Sequence, residues 1–85
     1  KPECQITRER INGVDYLVCS AVANPKECNF TWSLKSGNDS IDQQGELRDG
    51  KSYLLLDTSV TNYRTYVCVA NNSIDFSNPC ERGVP

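Results

Sequence analysis

The sequence contains no histidine and no methionine, and it has only one tryptophan. Without histidine, a serine or cysteine nucleophile lacks its usual base. A zinc site would lack histidine ligands as well, and the cysteines form no Cys-x-x-Cys pair that could bind the metal instead. The carboxylates Asp39, Asp42 and Glu46 are close in sequence, but their spacing fits neither a calcium loop nor an acid–base pair. These absences predict a chain that is not an enzyme and that has no metal or other cofactor.

The sequence also lacks an excess of positive charge and any long hydrophobic run. Its net charge is −2 and its pI is ≈ 4.9, whereas nucleic acid attracts basic stripes. No apolar run approaches the ~18 residues that cross a bilayer. We therefore expect neither nucleic-acid binding nor direct membrane insertion by this segment.

What the sequence does contain is five cysteines in 85 residues. A domain this small buries only about 60–65% of its unfolded surface, so its core alone is marginal. Small extracellular modules gain the missing stability from disulfides. The cysteine content therefore predicts a disulfide-stabilised extracellular domain.

The two ends of the chain carry residues that are typical of linkers between domains. The chain opens with KPEC, without a methionine or a signal peptide, and it closes with GVP. Proline and glycine break regular structure at such positions. We interpret residues 1–85 as one domain excised from a longer, multidomain extracellular protein.

Short segments of alternating hydrophobicity are separated by frequent turn signals. Asn12-Gly13 lies between two candidate strands and predicts a hairpin. Beyond it, one predicted strand face holds Leu17, Cys19 and Ala21 and another holds Phe30, Trp32 and Leu34. Further strands are expected near residues 52–57, 65–71 and 74–83, with Pro79 weakening the last one.

The register of the strand over Tyr53–Leu56 stays open, because either Tyr53 and Leu55 or Leu54 and Leu56 could face inward. No segment shows a sustained helical period. Short strands at regular turn spacing predict an all-β fold, a two-sheet β-sandwich of about seven antiparallel strands.

Four residues in this pattern resemble the immunoglobulin fold. Trp32 lies between Cys19 and Cys68, and Tyr66 lies two residues before Cys68. The resemblance covers essentially the whole chain and implies Greek-key connections. Because the interval between the two cysteines leaves no room for the extra hairpin of a variable-type domain, the resemblance is to the intermediate or C2-like type.

The resemblance also assigns a core. It implies a Cys19–Cys68 bridge between the two sheets, with Trp32 packed against it. It implies that the Tyr66 hydroxyl bonds back to the loop that connects the preceding strands. The expected core residues are Leu17, Phe30, Trp32 and Tyr66.

Cys4, Cys28 and Cys80 remain, and three cysteines cannot all pair. In the implied fold, Cys4 and Cys80 lie at similar heights on the first and last strands, so a bridge between them is feasible. Cys28 would then be a free thiol or would join a partner outside this chain. A Cys4–Cys28 bridge is the alternative, if the first strand begins higher in the sheet.

Three short segments also resemble the sidestep family of axon-guidance cell-surface proteins: KPEC at the start, CVANNS beginning at the second core cysteine, and NPC near the end. The resemblance implies the ectodomain of an adhesion or guidance receptor that works by protein–protein recognition. Its expected contacts are a protein or cell-surface partner and neighbouring domains of the same chain. Two alternatives stay open, a structural spacer domain without its own ligand and a secreted immune or inhibitor module.

Three N-glycosylation sequons begin at Asn29, Asn38 and Asn71. Since Phe30 and Trp32 are predicted to face inward, Asn29 is expected to face solvent. Asn38 and Asn71 fall in predicted loops. We expect all three asparagines to be modified in a secreted chain.

The predicted partner-binding surface is one sheet face. It consists of Thr31, Ser33, Lys35, Thr65, Val67 and Val69, on the sheet that most often binds partners in the fold that the chain resembles. The opposite sheet is expected to show Tyr16, Val18 and Val22 outward. We interpret that apolar cluster as ordinary strand composition rather than as a docking patch.

Overall fold

A computed structural model describes residues 1–35 and 44–85. Within these ranges the chain is all-β, and no helix is long and apolar enough to span a bilayer. The described strands are β1 (Glu3–Ile11), β2 (Val14–Val22), β3 (Asn29–Leu34), β4 (Glu46–Arg48), β5 (Lys51–Leu55), β6 (Arg64–Asn71) and β7 (Cys80–Val84). They form two antiparallel sheets, in the orders β1-β2-β5-β4 and β3-β6-β7. This arrangement is compatible with a β-sandwich.

The predicted hairpin at Asn12-Gly13 is confirmed. Both residues have positive φ, 51° and 79°, which is the conformation that a two-residue type I′ turn requires. The turn fixes the register of β1 against β2, so that Ile6 lies opposite Cys19. A second turn of the same kind, at Asp49 and Gly50 with φ of 48° and 77°, joins β4 to β5.

The core lies between the two sheets and is linked covalently across them. Cys19 of β2 and Cys68 of β6 are bridged, and both are fully buried. Trp32 is the direct cross-strand partner of Cys68. Leu17, Trp32 and Tyr66 are buried as predicted, and Phe30 is partly buried and packs against the same core.

The structure settles the strand register that the sequence left open. Leu54 and Leu56 face the core, with exposures of 2% and 8%, whereas Leu55 is 47% exposed. Ser52 shares the inward face, and its Oγ accepts a hydrogen bond of 2.9 Å from Trp32 Nε1. The only core-facing polar group of the indole is therefore satisfied where water cannot reach it.

The chain before β4 approaches this hydrogen bond closely. A β-carbon at Gly45 would overlap the Ser52 hydroxyl and the Trp32 indole nitrogen. Beside it, the Gln44 side chain clamps the Trp32 backbone: Oε1 accepts from Trp32 N at 2.8 Å and Nε2 donates to Trp32 O at 3.2 Å. Because β3 is an edge strand of its sheet, these two bonds occupy backbone groups that would otherwise be open to another strand.

Cys4 and Cys80 form the second disulfide, with a Cα–Cα distance of 6.0 Å. It joins β1 of one sheet to β7 of the other, so the alternative Cys4–Cys28 bridge is not formed, and Cys28 is a free thiol. Two disulfides in a domain of this size fit an extracellular or secreted location.

Two predictions about side chains are wrong. Val18 was expected to be exposed on the outer side of β2, but it is only 1% exposed, because Thr7 and Tyr53 flank it on the neighbouring strands. The Tyr66 hydroxyl was expected to bond back to the preceding loop, but among the hydrogen bonds of the described residues none joins it to residues 56–63. Tyr66 instead has the Arg64 guanidinium 5.2 Å from its ring centroid.

The last predicted strand is shorter than expected. Residues 74–79 form a loop, and β7 begins only at Cys80. Asn72 Oδ1 accepts hydrogen bonds from the backbone of Ile74 and Asp75, at 3.0 and 2.9 Å. These bonds from the backbone to the Asn72 side chain take the place of hydrogen bonds between strands. Pro79 has no N–H group, so it cannot donate a hydrogen bond to a neighbouring strand.

Candidate protein-binding face

The outer side of β3, β6 and β7, called here the three-stranded face, brings all six predicted interface residues together. Thr31 lies opposite Val69 and Ser33 lies opposite Val67. Lys35 N donates a hydrogen bond of 2.9 Å to Thr65 O, which extends the pairing by one step beyond β3. Successive side chains of a strand point to opposite sides, and the residues of β6 that lie between the predicted interface residues are buried in the core. The interface residues therefore share the outer side.

The centre of the three-stranded face is apolar and its one close ion pair lies beside it. Val67 and Val69 are half-buried, while Thr31 and Ser33 next to them are exposed. Lys35 Nζ lies 3.0 Å from Glu81 Oε1, with side-chain exposures of 60% and 45%. An ion pair this exposed contributes about 0–1 kcal/mol to stability. The two opposite charges leave this part of the face with no net charge.

Tyr63 is a further residue of this face and was not among the predicted interface residues. Its ring lies over Gly83 of β7, so closely that a β-carbon at residue 83 would overlap the ring, and it is 72% exposed. Tyr63 has the same parity as Thr65 and Val67, which is the signal that could have revealed it. Exposed, positioned tyrosines are enriched among the residues that dominate binding energy at interfaces.

The opposite end of the three-stranded face carries the asparagines of two sequons. Asn29 and Asn71 are direct cross-strand partners at the start of β3 and the end of β6. Asn29 is exposed, as expected, and Asn71 is half-buried. Asn71 was predicted both to end the strand over residues 65–71 and to lie in a loop; β6 extends to this residue, so the strand prediction is confirmed and the loop prediction is wrong. Asn38, the third predicted site, lies outside the described residues.

The outer side of the four-stranded sheet is engaged in contacts of its own. The rings of Tyr16 and Tyr53 meet edge to face with centroids 6.0 Å apart. The Arg48 guanidinium lies 5.6 and 5.2 Å from these two rings and 3.2 Å from a Glu46 carboxylate oxygen. Hydrogen bonds to Glu46 and then to Tyr16 raise the pKa of Arg48 above its ordinary value. The cluster is satisfied internally, so it offers a partner fewer free groups than the three-stranded face.

Cys28 lies in the loop between β2 and β3 and is half-buried. Burial, and then the negative charge of Glu27, raise the pKa of the Cys28 thiol above its ordinary value. A raised pKa leaves less thiolate at neutral pH, and the thiolate is the reactive form. The environment therefore does not activate Cys28 as a nucleophile.

We expect iodoacetamide to add one label to the native protein, at Cys28, and to do so more slowly than it labels the free thiol N-acetylcysteine amide, which has no neighbouring carboxylate, at the same pH. The rate should reach half its maximum at a higher pH than for the free thiol, because the pKa is raised. Glu27→Gln should move this midpoint down while leaving it above that of the free thiol, since burial is the larger cause. Labelling faster than the free thiol would contradict the assigned environment.

Within residues 1–35 and 44–85, no group of three or more histidine, cysteine or acidic side chains is placed to hold a metal ion. Comparisons with known protein families, with characterised proteins and with solved structures find no match.

Proposed function

We propose that this chain is an immunoglobulin-like domain from the ectodomain of a cell-surface adhesion or guidance receptor, and that it binds a protein partner through the three-stranded face. The observation that carries the proposal is the continuity of this face. A half-buried valine pair lies at its centre, with hydroxyl side chains beside it and an exposed tyrosine at one end.

The strand order supports the immunoglobulin-like assignment. Seven-stranded domains of that fold place the first, second, fifth and fourth strands in one sheet and the third, sixth and seventh in the other. The described strands have the same two orders. The Cys19–Cys68 bridge between sheets, with Trp32 as the cross-strand partner of Cys68, supports it further.

Two features favour recognition by the three-stranded face over the four-stranded one. Thr31 and Ser33 expose short hydroxyl side chains, which lose little conformational entropy when a partner orders them. The outer side of the four-stranded sheet instead holds the Arg48 guanidinium in an ion pair with Glu46 at 3.2 Å and beside the rings of Tyr16 and Tyr53. A partner would have to break or desolvate these contacts.

The size of the face predicts weak binding. Three strands about 4.8 Å apart and about six residues long give a projected area of roughly 300 Å². A standard interface removes about 800 Å² of accessible surface from each partner. A partner that uses this face alone would therefore bind weakly, and an assay must present the domain in several copies to detect it.

The test uses the domain displayed as a pentamer, with a panel of cell-surface ectodomains and the domain itself as probes. We expect at least one probe to bind, and Ser33→Arg or Val67→Arg to weaken binding by about tenfold or more, since each places a long charged side chain at the centre of the face. Thr7→Arg is the matched control, because Thr7 is exposed on the outer side of β1 in the opposite sheet.

Each outcome of this test has a defined meaning. Binding that survives Ser33→Arg and Val67→Arg but is lost in Thr7→Arg would move the site to the four-stranded face. Binding by no probe at all would favour the spacer alternative. Circular dichroism of each variant must match that of the native protein, so that a lost interaction is not confused with a lost fold.

A further inference from the structure

Three residues form a row across one end of the three-stranded face. Asn71 lies opposite Asn29 on one side and forms an isolated antiparallel bridge with Phe76 on the other. Directly opposed residues share a face and have β-carbons about 4.5–5.5 Å apart. Asn71 is thus flanked by a second sequon asparagine and by an aromatic ring.

The two adjacent asparagines at this end of β6 have different roles. Asn72 is fully engaged: Oδ1 accepts from two backbone amides of the following turn, and Nδ2 donates to Pro25 O at 2.9 Å. The Asn71 side chain takes part in none of the hydrogen bonds within residues 1–35 and 44–85. Only Asn71 begins a sequon, with Ser73 at its third position and exposed.

Phe76 has an exposed ring beside the Asn71 side chain. It is 62% exposed, although its backbone is fixed, because Phe76 N donates a hydrogen bond of 2.8 Å to Asp75 Oδ1 and the neighbouring Ser77 is tied to Ala70. An exposed aromatic ring on a backbone that is held in place can pack against an apolar surface with little further ordering. One face of a pyranose ring presents such a surface, made of C–H groups.

We propose that an N-linked glycan on Asn71 packs its first N-acetylglucosamine against the ring of Phe76. In the modification, the Asn71 amide nitrogen bonds to the anomeric carbon of an oligosaccharide carried on a lipid pyrophosphate. The bond from that carbon to the pyrophosphate oxygen breaks, the lipid pyrophosphate leaves with the bonding electrons, and the amide loses one proton. The linked sugar then starts one cross-strand spacing from Phe76.

The packed sugar divides the three-stranded face into two regions. It covers Phe76 and the end near Asn29, and it leaves Tyr63, Lys35 and Glu81 at the other end open. The proposed protein-binding site would then be confined to the open end. The glycan contact itself does not depend on that binding, because a spacer domain with the same row of residues would make it too.

The test uses protein secreted from eukaryotic cells in an Asn29→Gln/Asn38→Gln background, so that Asn71 is the only sequon asparagine. Mass spectrometry measures occupancy, and an endoglycosidase trims the glycan to a single N-acetylglucosamine. The unglycosylated reference is Ser73→Ala in the same background, which retains Asn71. We expect the trimmed protein to melt about 4–8 °C higher than this reference, the shift that one aromatic contact gives in a domain of this length.

Phe76→Ala should abolish most of that difference in Tm, and Ile74→Ala should preserve it. Ile74 is the matched control because it is 75% exposed in the same loop. With Phe76 present in the Asn29→Gln/Asn38→Gln background, ring-current shifts of the sugar protons should be visible by NMR, and they should vanish in Phe76→Ala. An unoccupied Asn71, or a Tm difference that survives Phe76→Ala together with unshifted sugar protons, would overturn the proposal. Neither result would bear on binding by the displayed pentamer.

Discussion

Replacing both Cys19 and Cys68 with alanine is expected to leave the domain unfolded at about 37 °C. The bridge spans 49 residues, but with Cys4–Cys80 intact the shortest loop that it closes is about 30 residues, which contributes about 3.6 kcal/mol in the chain-entropy treatment. The whole free energy of unfolding of a chain this long is about 4–13 kcal/mol. Both sulfurs are also fully buried in the core, so the substitution adds a packing loss to the entropic one.

Cys4→Ala/Cys80→Ala is the matched control for this first prediction. Its bridge spans 76 residues, but with Cys19–Cys68 intact it closes the same loop of about 30 residues, so the two bridges contribute the same entropic stabilisation of about 3.6 kcal/mol. Cys4 and Cys80 are only partly buried, so little packing is lost. Thermal unfolding followed by circular dichroism should therefore rank the control as the more stable variant. The reverse ranking would contradict the assignment of Cys19–Cys68 as the core link.

Trp32→Ala should lower the free energy of unfolding by about 3–5 kcal/mol, the usual cost of truncating a buried aromatic side chain. Trp32 is 2% exposed and is among the largest fully buried side chains of the core. The substitution also removes the donor of the hydrogen bond to Ser52 Oγ. Equilibrium unfolding in urea, followed by far-UV circular dichroism, measures the loss. A change below about 1 kcal/mol would contradict the placement of Trp32 in the core.

A mutant cycle separates packing from hydrogen bonding at this position. Ser52→Ala leaves Trp32 Nε1 without a partner, and Trp32→Phe leaves the Ser52 hydroxyl without one, so each should cost about 1–3 kcal/mol from the unsatisfied group alone. The double variant removes both groups and should cost less than the sum of the two single variants. Additive costs would show that the bond between Trp32 and Ser52 contributes no coupling.

The parts of this structure that the sequence predicted are those set by local chemistry or by simple alternation. Asn12-Gly13 favours a two-residue turn through its own backbone preferences, and that turn is present. Trp32 alternates with exposed residues and Tyr66 with half-buried ones, and both side chains are buried. The same alternation brings Ser33 and Val67 to one outer face.

The parts that the sequence did not predict depend on contacts between distant segments. The register of β5 could not be read from three consecutive leucines, because both strand faces look apolar. The burial of Val18 arises from neighbours on two other strands. Tyr63 joins the candidate site through its contact with Gly83, and Phe76 reaches Asn71 only through a bridge across the loop. Strand parity places Tyr63 on the same side as Thr65, but it does not reveal the contact with Gly83, and it gives no signal for Phe76 in the loop.

The most direct test of the account is a peptide map of the unreduced protein, because the positions of both faces depend on how the two sheets are linked. Trypsin and Asp-N together cut between every pair of neighbouring cysteines, including before Asp75, which separates Cys68 from Cys80. The structure predicts that Cys19 is linked to Cys68, that Cys4 is linked to Cys80, and that Cys28 carries the alkylating label. A peptide that joins Cys19 to any other cysteine would contradict the fold and the binding face built on it.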